Sequence, residues 1–219
     1  SFNDFIINLA PGVLMTVISA RIIQPTIGKT ALCHQRARSA AGIMARHGAK
    51  VRINNIVAGD GAGSIVVLSA YPDFATTARV FVNYQKDPDF QQLRQDRELN
   101  PAGTIVGPLV SRTVYGDISW DDHPVSMHRI YKVERSKLQD ALSILPDVEK
   151  LLGDASGVMA IVPTFGPDMD RLTVVYQFAS MAAAGEQIDR IGMSEEFQKI
   201  VIKAHDSGTL VSTRMLVAI

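Results

Sequence analysis

The sequence predicts an α+β protein built from two consecutive copies of one β-α-β-β-α-β unit. Residues 87–106 begin with Asp-Pro, continue through Phe90 into a short amphipathic helix, and end in Gly-Thr followed by aliphatic residues. Residues 194–211 repeat this pattern around Phe197, after an N-capping serine. In both halves, stretches rich in β-branched residues alternate with helical stretches in the same order. A repeated unit of this kind predicts the architecture of a chain and says little about its chemistry.

The composition is typical of a globular protein and gives no sign of nucleic-acid binding. Apolar residues make up 47% of the 219 residues and charged residues 20%, which argues against disorder. A chain of this length can bury a substantial core in one large domain or two small ones. The 22 basic and 22 acidic residues give a net charge of zero. Because no basic excess is available to neutralise a phosphate backbone, we expect no nucleic-acid partner.

The sequence also predicts a cytoplasmic protein without a membrane partner. Its single cysteine, Cys33, excludes an internal disulfide and is most simply explained by a reducing compartment. No apolar run approaches the roughly 20 residues that a membrane-spanning helix needs. The fairly apolar residues 1–20 include Asp4 and lack a basic segment, so we expect no signal peptide.

The first unit is predicted over residues 13–115. Runs of β-branched residues predict its strands, and an apolar stripe at helical spacing predicts its first helix. Residues 59–63 form a glycine-rich turn, and Asp87 followed by Pro88 starts a new helix inside the second helical stretch. The predicted elements are a strand at 13–23, a helix at 29–47, strands at 51–58 and 64–71, a helical stretch from Asp73 or Thr76 to Leu99, and a strand at 104–114.

The second unit is predicted over residues 125–219, after a linker at residues 116–124. The linker contains three acids, a proline and the only tryptophan, and we expect its acids to lie on a solvated surface. Pro146 should break the first helix of the second unit, and Ser194 should cap a new helix inside its second helical stretch. The predicted elements are a strand at 125–133, a helix at 136–152, a hairpin of strands at 157–165 and 172–178, a helical stretch at 181–204, and a strand at 209–219.

The order β-α-β-β-α-β is that of the ferredoxin-like unit. Two such units in one chain, with an Asp-Pro-x-Phe-x-x-Leu segment that leads to a small residue, Gly and Thr, resemble the dimeric α/β-barrel superfamily. The match is closest to NIPSNAP-like and stress-responsive barrel proteins and covers residues 13–219. The resemblance implies two four-stranded sheets that pair into one barrel with helices outside, here within a single chain.

The resemblance also implies a range of activities. The superfamily includes cofactor-free quinol monooxygenases, haem-degrading enzymes, haem peroxidases and chlorite dismutases, polyketide cyclases and lactone isomerases. Many of its NIPSNAP-like members have no assigned reaction. Pockets in the family usually lie between a sheet and its own helices. The fold therefore leaves several functions open, and the site must decide among them.

The candidate residues for such a pocket are polar side chains on strands of the second unit: His128, Arg129, Tyr131, Tyr176 and Arg214. Strand alternation puts Arg129 and Tyr131 on one face and His128 on the other, so only one set can face the pocket. Alignment of the two units places only hydroxyl residues opposite His128, Tyr131 and Tyr176, namely Thr16, Ser19 and Ser69. This difference predicts one pocket, in the second unit. There, His would act as a general base, and Tyr or Arg would stabilise a developing oxyanion.

The same side chains also have an ordinary structural explanation. Tyr131 and Tyr176 would then be core aromatics with satisfied hydroxyl groups, and Arg129 would be a solvated strand residue. The first unit offers its own polar candidates, which are Asn54, Asn55, Asn83 and Tyr84. Adjacent asparagines on a strand are also typical of a strand end or bulge.

Metal, haem and thiol chemistry receive little support from the sequence. The five histidines are scattered and show no metal-binding spacing. Haem needs one axial histidine, and nothing selects His128 or His205 for that role. Cys33 and His34 are adjacent on a helix and point about 100° apart, so they make a poor catalytic dyad. We therefore expect neither a metal nor a cofactor.

Three functions follow as hypotheses. The first is a small-molecule-binding α/β-barrel that acts, without a cofactor, as a monooxygenase, cyclase or isomerase on a hydrophobic oxygenated molecule. The second is a non-catalytic NIPSNAP-like binding or assembly protein, whose helix–sheet gaps would be filled by aliphatic side chains. The third is a haem-dependent enzyme. A barrel complete within one chain removes the need to dimerise and still permits a homo-oligomer.

Overall fold

Eight antiparallel strands close into one barrel within the chain. The structure, a computed structural model, describes residues 16–154 and 156–219. The strands are β1 (Val17–Pro25), β2 (Lys50–Gly59), β3 (Ile65–Tyr71), β4 (Gly103–Tyr115), β5 (Val125–Lys132), β6 (Ser156–Phe165), β7 (Arg171–Phe178) and β8 (Thr209–Ala218). Neighbouring strands follow the order β1-β3-β2-β8-β5-β7-β6-β4, and β4 pairs again with β1. The predicted mixed α/β architecture with a barrel inside one chain is confirmed.

The helices pack outside the barrel. They are α1 (Thr30–Arg46), α2 (Phe74–Gln85), α3 (Pro88–Leu99), α4 (Leu138–Leu142), α5 (Leu145–Leu152), α6 (Met181–Ile191) and α7 (Glu195–His205), with a 3₁₀ turn at Arg135–Lys137 before α4. The side chains of Asp73, Asp87, Ser180 and Ser194 each accept a backbone N–H at a helix start. Pro146 lies in the first turn of α5, after a break that separates α5 from α4. The predicted breaks at Pro146, Asp87 and Ser194 are therefore confirmed.

Alternation along the strands divides the apolar side chains among separate cores. One face of β1–β4 packs against α1–α3, where Val67, Met44 and Tyr84 belong to the core of the first half. The same face of β5–β8 packs against α4–α7 around Val174 and Phe178. The opposite faces fill the barrel interior with small clusters around Val175 and around Leu216, Ile56 and Val66. Side chains fill the interior of a barrel of eight strands in this way.

The element boundaries differ from the predicted ones by a few residues. β1 continues to Pro25, two residues beyond the predicted end, and β4 extends to Tyr115. The predicted start of the first strand and of the first unit, at Val13, lies outside the described residues. No helix among the described residues is long and apolar enough to cross a bilayer.

Residues 116–124, the predicted linker, contain no helix or strand and contact the barrel. Ile118 packs against the cluster of Ile18 and Val175 in the barrel interior. Gln177 of β7 accepts the N–H of Ser119 at 2.9 Å and donates to the backbone oxygen of Asp117 at 3.0 Å. The acidic side chains of the segment remain exposed, as expected. The segment is therefore fixed against the barrel.

Candidate functional site

A cavity of about 150 Å³ lies between the sheet and the helices of the second half of the chain. Its polar residues on the sheet are Arg129 and Tyr131 of β5 and Tyr176 of β7. Its apolar walls come from α5, α7, β7 and neighbouring segments, and include Leu145, Val148, Leu172, Val174, Phe197 and Leu210. A dry apolar cavity of about 150 Å³ is known to accommodate benzene. The volume therefore suits one aromatic ring, or the ring end of a larger molecule.

The register of β5 and β7 brings the three polar side chains together. Arg129 pairs with Val174 and Tyr131 with Leu172, while Tyr176 pairs with Met127. Side chains two residues apart on a strand share a face, and diagonal neighbours on adjacent strands lie within reach of long side chains. Arg129 is therefore two residues from Tyr131 on β5 and is the diagonal neighbour of Tyr176 on β7.

The polar groups of the cavity are poorly satisfied by the protein. The Nε atom of Arg129 is buried and has no hydrogen-bond partner among the described residues. Its guanidinium carbon lies 6.0 Å from the ring centroid of Tyr131, at the outer limit of a cation–π contact. Tyr176 is only 6% exposed, and burial, followed by the nearby Tyr131, raises the pKa of its hydroxyl. The cavity therefore combines a permanent cation with a neutral phenol.

His128 and Arg214 lie on the opposite face of the sheet, inside the barrel. His128 is directly paired with Arg214 of β8, and its Nε2 atom lies 3.3 Å from the hydroxyl of Ser126. Burial, followed by the charges of Arg214 and Arg52, lowers the pKa of His128 to about 3. The ring is therefore neutral at pH 7. Because strand alternation points it away from the helices, His128 cannot act as the base of the helix–sheet cavity.

The strand registers also correct the alignment of the two halves. Arg21 of β1 pairs with Val67, just as Arg129 pairs with Val174. Val67 and Val174 precede the N-caps of their following helices by the same number of residues. Arg21 is therefore the counterpart of Arg129. The alignment predicted from the sequence, in which His128 matched Thr16 and Tyr131 matched Ser19, is wrong by four residues for this strand, although Tyr176 does match Ser69.

The first half fills the space that is open in the second. The guanidinium of Arg21 donates to the hydroxyl of Tyr84 at 2.6 Å and contacts the sulfur of Met44 at 3.6 Å. Tyr84 is 1% exposed, and its ring packs edge-on against Phe90 at a centroid distance of 5.0 Å. Only about 20 Å³ remains beside Arg21. The equivalent arginine of the first half is thus satisfied by the protein itself.

The two halves also differ at the helix position that Tyr84 occupies in the first half. Ile191 follows the N-cap Ser180 at the same spacing at which Tyr84 follows Asp73, and Phe197 corresponds to Phe90 in the same way. Ile191 is buried and belongs to the apolar core of the second half. An isoleucine side chain is shorter than tyrosine and cannot accept a hydrogen bond. The second half therefore has, at this helix position, no hydroxyl group like the one that binds Arg21 in the first half.

Sequence reasoning missed the helical side of the site. His205 and Val201 of α7 line the cavity and are exposed to solvent, so they mark its rim. The sequence had singled out His205 only as an unselected haem ligand. The equal spacing of Tyr84 and Ile191 from their N-caps could have shown that a tyrosine of the first half is replaced by a smaller residue in the second half. No group of three or more His, Cys, Asp or Glu residues in the described ranges could hold a metal ion.

Comparisons with known proteins support the fold and leave the reaction open. No protein-family model and no curated protein matches the sequence. A proposed monooxygenase from Fusobacterium nucleatum subsp. nucleatum superposes with a TM-score of 0.62 at 9% identity, over 94% of this chain and 93% of that chain. An anthrone oxidase-like protein superposes with a TM-score of 0.62 at 10% identity, over 95% of this chain and 92% of that chain. A proposed chlorite dismutase superposes with a TM-score of 0.58 at 9% identity, over 94% of this chain and 95% of that chain. The chain shares with them the dimeric α/β-barrel fold that the sequence predicted. At this identity, the likeness shows the fold alone.

Proposed function

We propose that the cavity of the second half binds a small hydrophobic molecule through one ring and one oxygen atom, with Arg129 and Tyr176 as the partners of that oxygen. The observation that carries the proposal is the buried Nε of Arg129, which has no partner among the described residues, whereas Arg21 binds Tyr84. A buried N–H group without a hydrogen-bond partner lowers stability. A ligand oxygen would supply the missing hydrogen bond.

The chemistry of the cavity favours an oxygen that carries or develops negative charge. A guanidinium and a neutral phenol both donate hydrogen bonds, and neither can accept a proton at neutral pH. In apolar surroundings they would stabilise an enolate, phenolate or carboxylate more strongly than water does. Binding an enol or phenol here would therefore lower its pKa. His205 at the rim is the candidate proton acceptor.

Such an anion is the starting point for cofactor-free oxygenation, cyclisation or isomerisation, the reactions expected from the sequence. The fold is shared with a proposed monooxygenase and an anthrone oxidase-like protein, which supports the oxygenation branch of this proposal. In this scheme, Arg129 and Tyr176 hold the oxygen and the apolar walls exclude water. His205 takes the proton.

The proposal is tested with three single-ring probes: benzene, phenol and benzoate. Isothermal titration calorimetry with the wild-type chain should show that benzoate and phenol bind. Arg129→Met should weaken benzoate binding at least tenfold and still bind benzene, because the cavity remains. Arg21→Met is the matched control and should leave benzoate binding unchanged. Equal benzoate affinity in wild type and Arg129→Met, or no binding of any probe, would overturn the proposal.

We also infer that the two halves are copies of one ferredoxin-like unit, with 116–124 as the connection. The strand order β4-β1-β3-β2 of the first half corresponds to β8-β5-β7-β6 of the second. The equivalent arginines and the equal N-cap spacings support this inference. Assignment to the NIPSNAP-like branch remains a proposal that rests on the sequence resemblance. A purely structural barrel is favoured less, because one of the two helix–sheet gaps is open.

A haem-dependent function does not fit the residues of this site. The cavity of about 150 Å³ is smaller than the roughly 300–1,000 Å³ of ordinary ligand pockets, and a haem macrocycle needs a large slot. His205 is the only histidine among the residues that line it, and it lies exposed at the rim. The residues that line the cavity therefore do not fit a haem group.

A further inference from the structure

A second polar cavity lies in the first half, at the edge of its filled helix–sheet gap. It has a volume of about 60 Å³ and lies between α1, α3 and the start of β4. Two arginines line it, Arg36 from α1 and Arg97 from α3, together with Cys33 and the backbone around Ala102 and Gly103. The space is enough for a small oxyanion or a few water molecules.

The two guanidinium groups differ in how they are held. Arg36 donates to the backbone oxygens of Asn100 and Asp96, each at 2.8 Å, which fixes its position at the end of α3. Arg97 forms no hydrogen bond or ion pair within the described residues. Burial, followed by the nearby charges of Arg21 and Arg36, lowers the pKa of Arg97. Arg97 therefore points into a region that is already positively charged.

Within residues 16–154 and 156–219, no carboxylate forms an ion pair with Arg21, Arg36 or Arg97. The partners of Arg21 are the uncharged side chains of Tyr84 and Met44. The thiol of Cys33 donates to the backbone oxygen of Ala102 at 3.3 Å, and burial raises its pKa, so it stays a neutral thiol. Three cations thus lie near one another without a carboxylate partner in the described part of the chain, an arrangement that lowers stability unless an anion joins it.

We propose that this cavity is a binding site for a small tetrahedral oxyanion, phosphate or sulfate, held between Arg36 and Arg97. The planar guanidinium fork matches the oxygens of such an anion and donates charge-assisted hydrogen bonds to them. The fixed Arg36 supplies a preorganised half of the site, and the unpaired Arg97 supplies the other. The site is separate from the cavity of the second half and does not rest on the function proposed there.

The test measures phosphate binding directly, at constant ionic strength. The Nε–H resonances of ¹⁵N-labelled arginine side chains are followed during titration with inorganic phosphate, with chloride as the reference anion. Saturable shifts are expected for Arg97 and Arg36, together with a phosphate-dependent rise in Tm. Sulfate should compete. A second titration uses phenyl phosphate. Tighter binding of inorganic phosphate would indicate a site for the free anion, and tighter binding of phenyl phosphate would indicate a site for the head group of a phosphate ester.

Two variants complete the design. Arg97→Gln should abolish the saturable shift of Arg36 and the rise in Tm, and circular dichroism should show that it is folded. Arg94→Gln is the matched control, because Arg94 is exposed on the same helix and does not line the cavity. The proposal is overturned if phosphate acts no differently from chloride, or if Arg97→Gln binds phosphate as well as Arg94→Gln does.

Discussion

The two helix–sheet gaps of this chain place the same arginine in the same sheet position and differ in what surrounds it. In the first half, Tyr84 accepts a hydrogen bond from Arg21 and fills the space beside it. In the second half, Ile191 takes the place of Tyr84, and a cavity of about 150 Å³ opens next to Arg129. The first gap is closed around its arginine by a hydrogen-bonding tyrosine, and the residue at the same N-cap spacing in the second half is an isoleucine.

The two halves are also expected to differ in local stability. The first half packs the long helix α1 (Thr30–Arg46) across its sheet, whereas the shorter α4 and α5 cover the corresponding part of the second half. An open apolar cavity and a buried N–H group without a hydrogen-bond partner both lower stability. We therefore expect the second half to unfold locally more easily, which is ordinary for a region that must admit a ligand.

The largest effect is expected when the first half is made to resemble the second. Tyr84→Ile removes the partner of Arg21 and opens a cavity, so it should lower the free energy of unfolding by about 4 kcal/mol. Urea denaturation at pH 7 measures the change. Tyr84→Phe, which keeps the ring and removes only the hydroxyl, is the control and should lose about 1–2 kcal/mol. A loss below that of the Phe variant would show that Tyr84 does not hold the gap closed.

Acid should destabilise the second half through His128. Its pKa is lowered to about 3 in the folded chain, against about 6.5 when unfolded, so the unfolded state binds the proton first. The contribution of neutral His128 to stability is complete above pH 6.5 and is lost as the pH falls towards 3. At pH 4 the loss should be about 3 kcal/mol.

His128→Ala provides the control for that prediction, because Ala20 is the counterpart of His128 in the first half. The variant starts from a lower stability at pH 7, since it leaves a cavity in the barrel. Its unfolding free energy should fall less steeply between pH 6.5 and pH 4. Parallel pH profiles for wild type and His128→Ala would show that His128 is not the titrating group.

Making the second half resemble the first should close the site. Ile191→Tyr supplies a hydroxyl for Arg129 and fills the cavity, so the unfolding free energy should rise by about 1–2 kcal/mol. Benzoate binding should disappear at the same time. Ile191→Leu, which adds no hydroxyl, serves as the control. A destabilised Ile191→Tyr variant with intact benzoate binding would break the proposed equivalence of the two positions.

The smallest expected change in unfolding free energy comes from replacing the equivalent arginines, and it should have opposite signs in the two halves. Arg129→Met removes a buried N–H group that has no hydrogen-bond partner among the described residues, and it should raise the unfolding free energy by about 1 kcal/mol. Arg21→Met removes a charge that is hydrogen-bonded and leaves Tyr84 unpaired, so it should lower the unfolding free energy by a similar amount. Thermal denaturation of both variants measures the difference. A loss of stability in both would mean that Arg129 is satisfied as Arg21 is.

Much of the fold was predictable because its signals are local. Asp87, Pro146 and Ser194 act on the backbone within one turn, and the breaks they predict are present. The candidate site was predictable only in part. Arg129, Tyr131 and Tyr176 lie together in the cavity, whereas His128 and Arg214 lie inside the barrel. Alternation showed that the candidates divide into two sets, and only the closed barrel showed which set faces the helices.

The sequence by itself determined the order of the elements and the helix caps, since each depends on residues close together along the chain. The tertiary structure decided the register that makes Arg21 and Arg129 equivalent, the partner that Arg21 finds in Tyr84, and the cavity beside Arg129. A cavity is the small volume left when side chains from distant segments are packed together. Its existence therefore depends on how all of those segments pack, and no local pattern in the sequence contains that information.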